Sequence, residues 1–253
     1  MKITEIAKQF KRVNDLSDPL FLLYKNDSRK GVQAIVRKVS NRIMKNNEKI
    51  TAFHERFRYE NTIWEKGVTY IAGVDEVGRG PLAGPVVSGA VIIPKDFDVI
   101  TVNDSKKLSD QQRRDLIPLI KQEALSYNCA EISSQVIDEV NIYEATKIAM
   151  KQAIEGLSIT PEHIIVDAMS IDIEIPQTKL IKGDSKSISV AAASIIAKVT
   201  RDDLMIKYSQ KYSEYGFEKN DGYGTKQHLI ALQKFGATPI HRKSFAPVKN
   251  LKS

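Results

Sequence analysis

The sequence has 253 residues, 42% of them hydrophobic, a single cysteine and a formal net charge of +7. The apolar fraction is enough for a real core, in one large domain or a main domain with a smaller one. Cys129 alone excludes an internal disulfide and a thiolate metal site and agrees with a reducing compartment. The N-terminus lacks a signal peptide's apolar core, and no stretch reaches the roughly 18 consecutive apolar residues of a membrane span, so a cytoplasmic protein is expected.

The charge is unevenly placed. Residues 1–66 hold 15 Lys and Arg against 8 Asp and Glu, while the remainder balances at 23 of each. This first quarter reads as helical, with Ile3, Ile6, Ala7, Phe10 and Val13 at helical spacing, then Val32, Ile35, Val36, Val39 and Ile43, then Ile50, Phe53 and Phe57. Arg29, Lys30, Arg37, Lys38, Arg42 and Lys45 lie off the second apolar stripe, giving either a solvated face or a surface for a phosphate backbone. Residues 1–66 are thus expected to form a basic helical module and residues 67–253 a second domain, with breaks at Asp18-Pro19 and Gly67.

From Val68 the pattern becomes that of strands. Residues 70–74 and 86–93 read as a hairpin-connected pair, followed by the polar loop Asn103-Asp104-Ser105-Lys106-Lys107 and a helix capped by Ser109 or Asp110. A weaker strand is expected at 126–134, a helix at 141–157, a strand at 163–168, a short strand at 179–181 and a long buried helix at 187–212. Thr225 caps a helix running to Phe235-Gly236. His228 and His241 are read as helix-surface and tail residues, and 238–253 as a basic, irregular tail.

Chemistry gathers at strand ends. Asp75 and Glu76 end the first strand and are followed by Gly78-Arg79-Gly80-Pro81, where bare backbone amides and a cation can meet an anionic ligand. Asp167 repeats the arrangement at the end of another strand, and Asp184 follows a third. Open α/β sheets build sites beyond the carboxyl ends of their strands, so these acids are candidates to hold a hard cation. Asp202 and Asp203 are rival acids. Lys106 and Lys107 either sit over a phosphate or are an exposed pair, and Tyr223, between two glycines, either stacks on a sugar or base or folds onto the core.

The series Asp75-Glu76-Val77-Gly78-Arg79-Gly80-Pro81-Leu82-Ala83-Gly84-Pro85, Asp104-Ser105-Lys106-Lys107-Leu108, Val166-Asp167-Ala168, Lys182-Gly183-Asp184-Ser185-Lys186, Ala191 to Val199 with Arg201-Asp202, and Gly222-Tyr223-Gly224-Thr225 resembles bacterial ribonuclease HII across most of residues 68–247. Residues 1–66 resemble the N-terminal extension of some members. The resemblance implies a ribonuclease H-like α/β fold with a mixed central sheet and flanking helices. It implies hydrolysis of the RNA strand of RNA–DNA hybrids, and incision 5′ of single ribonucleotides in duplex DNA that leaves 3′-hydroxyl and 5′-phosphate ends. It assigns Asp75, Glu76, Asp167 and Asp184 as catalytic ligands of Mg²⁺ or Mn²⁺, two ions in all, with Asp202 as the alternative to Asp184. Gly78, Arg79 and Gly80 would sense the ribose 2′-hydroxyl, Tyr223 would pack on the neighbouring deoxyribose, and Lys106 and Lys107 would bind substrate. A monomer acting on nucleic acid away from membranes is expected; a non-catalytic hybrid-binding protein is the alternative.

Overall fold

The structure, a computed structural model, describes residues 1–251; Lys252 and Ser253, the end of the expected irregular tail, lie outside the described residues. It divides into two compact units, the first Met1–Glu55 and the second starting at Arg56.

The first unit contains α1 (Ile3–Phe10), α2 (Pro19–Tyr24) and α3 (Lys30–Glu55). Asp18 starts α2 by accepting the Leu20 N–H at 2.8 Å, with Pro19 at the first helical position, where its missing N–H costs nothing. Ile6, Phe10, Val13, Phe21, Val32, Val39 and Ile43 form the core of this unit; all but Phe21 lie on the predicted stripes, whereas Ile3 of the first stripe is exposed. On the basic face, Lys30, Arg37, Lys38 and Lys45 are exposed, whereas the Arg42 guanidinium donates to the carbonyls of Phe10 and Val13 and Arg29 pairs with Asp27 at 2.7 Å.

The unit ends eleven residues before the expected boundary at 66. The next helix, α4 (Arg58–Trp64), falls in the second unit, where the buried carboxylate of Glu60 accepts from the Ser187 hydroxyl at 2.5 Å and from the Ser189 N–H and hydroxyl at 3.0 and 2.7 Å. Those groups open a long helix, and N–H groups at a helix start lack intrahelical partners, so an acid there is favourable.

The rest of the second unit runs β1 (Ile71–Val77), β2 (Val86–Ile92), α5 (Asp110–Glu123), β3 (Ser126–Ile132), α6 (Ser134–Glu155), β4 (His163–Asp167), β5 (Gln177–Leu180), α7 (Ile188–Lys211), α8 (Phe217–Asn220) and α9 (Lys226–Phe235). The five strands form one sheet in the order β3-β2-β1-β4-β5, with β1 antiparallel to β2 and parallel to β4. The helix expected from Asn141 is present: Asn141, at φ 71°, caps it by accepting the N–H groups of Tyr143 and Glu144, and a further helical stretch from Ser134 precedes it across this break.

Side-chain alternation along β1 sets the layers. Ala72 and Val74 face α6, joining Met150, Ala153, Ile154, Ile164 and Val166 in one core cluster. Gly73 lies on the other face under α7, where a Cβ would come within 2.1 Å of the Ser189 carbonyl carbon; on β2 a Cβ at Gly89 would come within 2.5 Å of the Ala193 oxygen. Glycines below and Ala191, Ala192, Ala193 and Ala197 above let the helix lie against the strand backbones.

Candidate active site

Parallel pairing of β1 with β4 sets Val74 opposite Val166, so Asp75 and Asp167 are the next residues on neighbouring strands and emerge on the α7 face. Asp75 is 5% exposed; its Oδ1 accepts the Glu76 N–H at 2.8 Å and its backbone oxygen accepts the Ser88 hydroxyl. Asp167 Oδ1 accepts the Gly183 N–H at 2.9 Å, which fastens the 3-10 turn Gly183–Ser185 beside β4. That turn carries Asp184, 4% exposed, whose carboxylate lies 3.6 Å from Lys106 Nζ. Lys106 in turn sits in the 3-10 turn Ser105–Lys107, capped by Asp104.

The electrostatics tie these acids into one set. Burial, then the charges of Glu76 and Asp167, push the Asp75 carboxyl well above the usual carboxylate range, against a lowering hydroxyl from Ser194. Glu76 is raised by burial and by Asp167 although Arg79 opposes it, and Asp184 is raised by burial, Asp104 and Asp167 although Lys106 opposes it. Burial lowers Lys106, but attraction to Asp184, Asp75 and Asp104 outweighs it and raises the amine. Four carboxylates that repel one another have a common remedy in a cation between them.

Among the described residues no three acids, histidines or cysteines stand close enough to form a ready-made metal cage. The donor set nevertheless fits a hard cation: all the groups are carboxylate oxygens, and Glu76 Oε2 is buried with no hydrogen-bond partner. Asp202 fits less well. It is buried between Lys198 at 2.6 Å and Arg113 at 3.7 Å, so its charge is already met. Asp203 pairs with Arg114 at 2.7 Å.

The glycine-arginine turn adjoins the acids. Gly78 has φ +92°, a conformation that disfavours a side chain, and a Cβ there would lie 2.2 Å from Arg201 Nε. Arg79 reaches back to Glu76 Oε1 at 3.4 Å. A Cβ on Gly80 would touch the Tyr223 ring at 3.4 Å, and Tyr223 is 49% exposed, so its ring is beside the turn and open to a ligand rather than folded into the core. Lys107 is exposed, 4.0 Å from Asp104.

Two expectations change. His228 and His241 are buried, not on the surface, and their Nε2 atoms lie 2.9 Å apart. Because the Thr238 N–H donates to His241 Nδ1, His241 carries its proton on Nε2 and donates to His228, which donates from Nδ1 to the Tyr223 carbonyl. The expected irregular tail supplies His241 of this pair, facing His228 on α9, and also Arg242, which with Arg201 is fully enclosed. Neither arginine carries a local pattern that marks it, because their partners are backbone carbonyls distant in sequence.

A mixed sheet that sets Asp75 and Glu76, inside β1 just past its parallel pairing, beside Asp167 at the end of β4 has the arrangement of a ribonuclease H-like hydrolase. The fold is similar to that of ribonuclease H2 from Pyrococcus horikoshii, with TM-score 0.63 and 30% identity over 72% of this chain and 96% of that one. It also resembles Bst-RNase HIII crystallised in complex with Mn²⁺, with TM-score 0.53 and 20% identity over 72% of this chain and 68% of that one. The Ribonuclease HII profile matches residues 72–248 and the Ribonuclease HII N-terminal domain profile residues 2–64, and a Ligilactobacillus salivarius protein named Ribonuclease HII is 56% identical over 99% of this chain and 98% of its own length. The chain belongs to the ribonuclease HII family. It is therefore a ribonuclease H, an enzyme of the class that hydrolyses RNA in RNA–DNA hybrids, and the non-catalytic alternative falls away. No helix among the described residues is long and apolar enough to cross a membrane.

Proposed function

We propose that this chain is a metal-dependent endoribonuclease that cuts the RNA strand of RNA–DNA hybrids and also incises duplex DNA 5′ of a single embedded ribonucleotide, leaving 3′-hydroxyl and 5′-phosphate ends. The observation that carries the reading is the gathering of Asp75 and Glu76 within β1, Asp167 at the end of β4 and Asp184 just after β5, beside the Gly78–Gly80 turn. These four carboxylates hold two divalent cations, Mg²⁺ or Mn²⁺; the manganese complex of Bst-RNase HIII supports that chemistry. Bound there, the ions supply Lewis-acid charge for water activation and for the leaving oxygen.

The protein's own groups do the positioning. Lys106, held against Asp184, and Lys107 face the phosphate backbone. The Gly78-Arg79-Gly80 turn reads the ribose 2′-hydroxyl, which donates and accepts where deoxyribose does neither. Tyr223 offers its half-exposed ring to the adjoining deoxyribose. Residues 1–66 add affinity for substrate through their basic surface, and the protein works as a cytoplasmic monomer.

The test is a DNA duplex containing one ribonucleotide. Incision on its 5′ side that needs Mg²⁺ or Mn²⁺ is expected; equal cutting of an all-DNA duplex, or undiminished cutting in a chelator, overturns the reading.

A further inference from the structure

Two of the three residues in the Gly78–Gly80 turn have no side chain, so packing contributes little to holding it. Two guanidinium groups from remote parts of the chain hold it instead. Arg242, wholly buried, donates from Nη2 to the carbonyls of Gly78 and Gly84 at 2.5 and 2.9 Å, from Nη1 to that of Arg79 at 2.9 Å, and from Nε to Gly84 at 3.0 Å. Arg201, 1% exposed, donates from Nε to Pro85 at 3.0 Å and from Nη2 to Ala83 and Asp221 at 3.3 and 3.0 Å. The backbone adds bonds of its own: Leu82 N–H to Gly222, Gly84 N–H to Ile240 and Arg242 N–H to Leu82, at 2.8, 2.9 and 2.8 Å. The segment after the turn is thereby tied both to the Tyr223 loop and, through an antiparallel bridge of Ala83 with His241, to the chain around His241.

Enclosing two cations side by side is expensive, of the order of several kcal/mol per ion before compensation. Among the described residues neither arginine forms an ion pair with a carboxylate. Burial, with Arg201 adding to it, pulls the Arg242 guanidinium down to about 9, still charged at neutral pH. A hydrophobic side chain could fill the space. What it could not do is orient peptide planes. In a trans peptide the C=O and the following N–H point in opposite directions, so a guanidinium that takes the carbonyls of Gly78 and Arg79 turns the N–H groups of Arg79 and Gly80 away from itself.

We propose that Arg242 is a specificity-positioning residue: its fork holds the carbonyls of Gly78 and Arg79 so that the amides of Arg79 and Gly80 are presented to the sugar of the substrate. Arg201 anchors the other end of the same loop. The inference rests on the reading of that turn as the ribose detector. It adds that the detector is aimed from beneath by a residue that never touches nucleic acid.

The experiment uses the full chain with Arg242→Lys, which keeps the charge but replaces a planar fork of donors by a single ammonium. The kcat/KM for incision at a single ribonucleotide falls at least tenfold, while affinity for an all-DNA duplex, measured without divalent cation, stays within twofold of wild type. A smaller loss in kcat/KM, or an equal weakening on both duplexes, overturns the proposal. Gly80→Pro deletes one of the two amide donors outright and separates this inference from the reading beneath it. Unchanged kcat/KM in G80P removes the turn as detector; a loss in G80P with none in R242K keeps the detector and removes Arg242. Should R242K fail to fold, the wild-type protein decides by NMR: the Arg242 Nη proton signals shift on adding a ribonucleotide-containing duplex and not on adding the all-DNA one. An equal response to both overturns the proposal.

Discussion

Gly73→Ala is the most direct probe of how closely α7 lies against the sheet. The added Cβ would sit 2.1 Å from the Ser189 carbonyl carbon, 2.3 Å from the Val190 nitrogen and 2.5 Å from the Ser189 oxygen, all backbone atoms that cannot rotate away. The shortest of these is about 1.3 Å inside the 3.4 Å at which ordinary van der Waals separation begins, so the first turn of α7 must lift or β1 must buckle. Overpacking of this kind costs about 1–3 kcal/mol, and backbone neighbours place it at the upper end. A loss near 3 kcal/mol corresponds to a fall of roughly 6–12 °C in Tm for a unit of this size. Trp64, the sole tryptophan and buried in the second unit, reports the transition by fluorescence. Gly67→Ala is the control: it has φ +88° and nothing within 4 Å, so only the left-handed conformation is penalised, by about 1–2 kcal/mol. A G73A protein no less stable than G67A would refute the direct apposition of helix and strand backbones. Lifting α7 also draws Ser194 from Ser105, which it meets at 2.9 Å, and so loosens the turn carrying Lys106; activity at temperatures where G73A is folded falls with it.

Other outcomes are open to measurement. Asp75→Asn abolishes turnover yet stabilises the metal-free protein at neutral pH: the wild-type carboxyl is raised, so its contribution is intact below 3.8 and is lost as pH rises through the folded value. The Tm difference between D75N and wild type therefore vanishes on acidification toward 3.8, and a constant difference would count against a charged cluster. The histidine pair has the opposite slope. His228 is lowered and His241 lies at about 4, against 6.5 for an ordinary imidazole, so stability is full above 6.5 and declines as pH drops to about 4; urea titrations of His241→Gln should show a shallower decline. Removing residues 1–55 weakens binding to hybrid duplex and flattens its salt dependence by about 0.9 in log–log slope for each phosphate no longer neutralised, leaving the melting of the second unit in place. Removing residues 1–66 also takes away Glu60, leaving the Ser189 N–H without its acceptor and the Ser187 and Ser189 hydroxyls with only each other as side-chain partners, at a cost of about 1–3 kcal/mol for the orphaned amide, so the two truncations differ in Tm.

The parts legible in the sequence are those whose cause is local. Asp75 and Asp167 end short aliphatic runs, and strand polarity carries both to one edge, so their approach needed only a parallel β1 and β4. The stripes through Ile6, Phe10, Val32, Val39 and Ile43 name their own core. Less legible is Glu60, which looks like one more acid on a basic helical stretch until Ser187 and Ser189 arrive from 127 and 129 residues away. His228 and His241 lack the spacing of a metal pair, and their meeting depends on a loop path that no periodicity encodes. The start at Asn141 is legible and is capped there, but the helical stretch from Ser134 that precedes the break is not. Arg242 is the extreme case, since backbone carbonyls are present at every position and none advertises that it will be chosen.

Protein synthesis runs in one direction, and that gives the placement of Arg242 a temporal meaning. All four acids leave the ribosome well before the residue that fastens the turn at Gly78. A chain stopped short of position 242, or clipped there by a protease, would keep all four acids and lose the guanidinium that ties together the carbonyls of Gly78, Arg79 and Gly84.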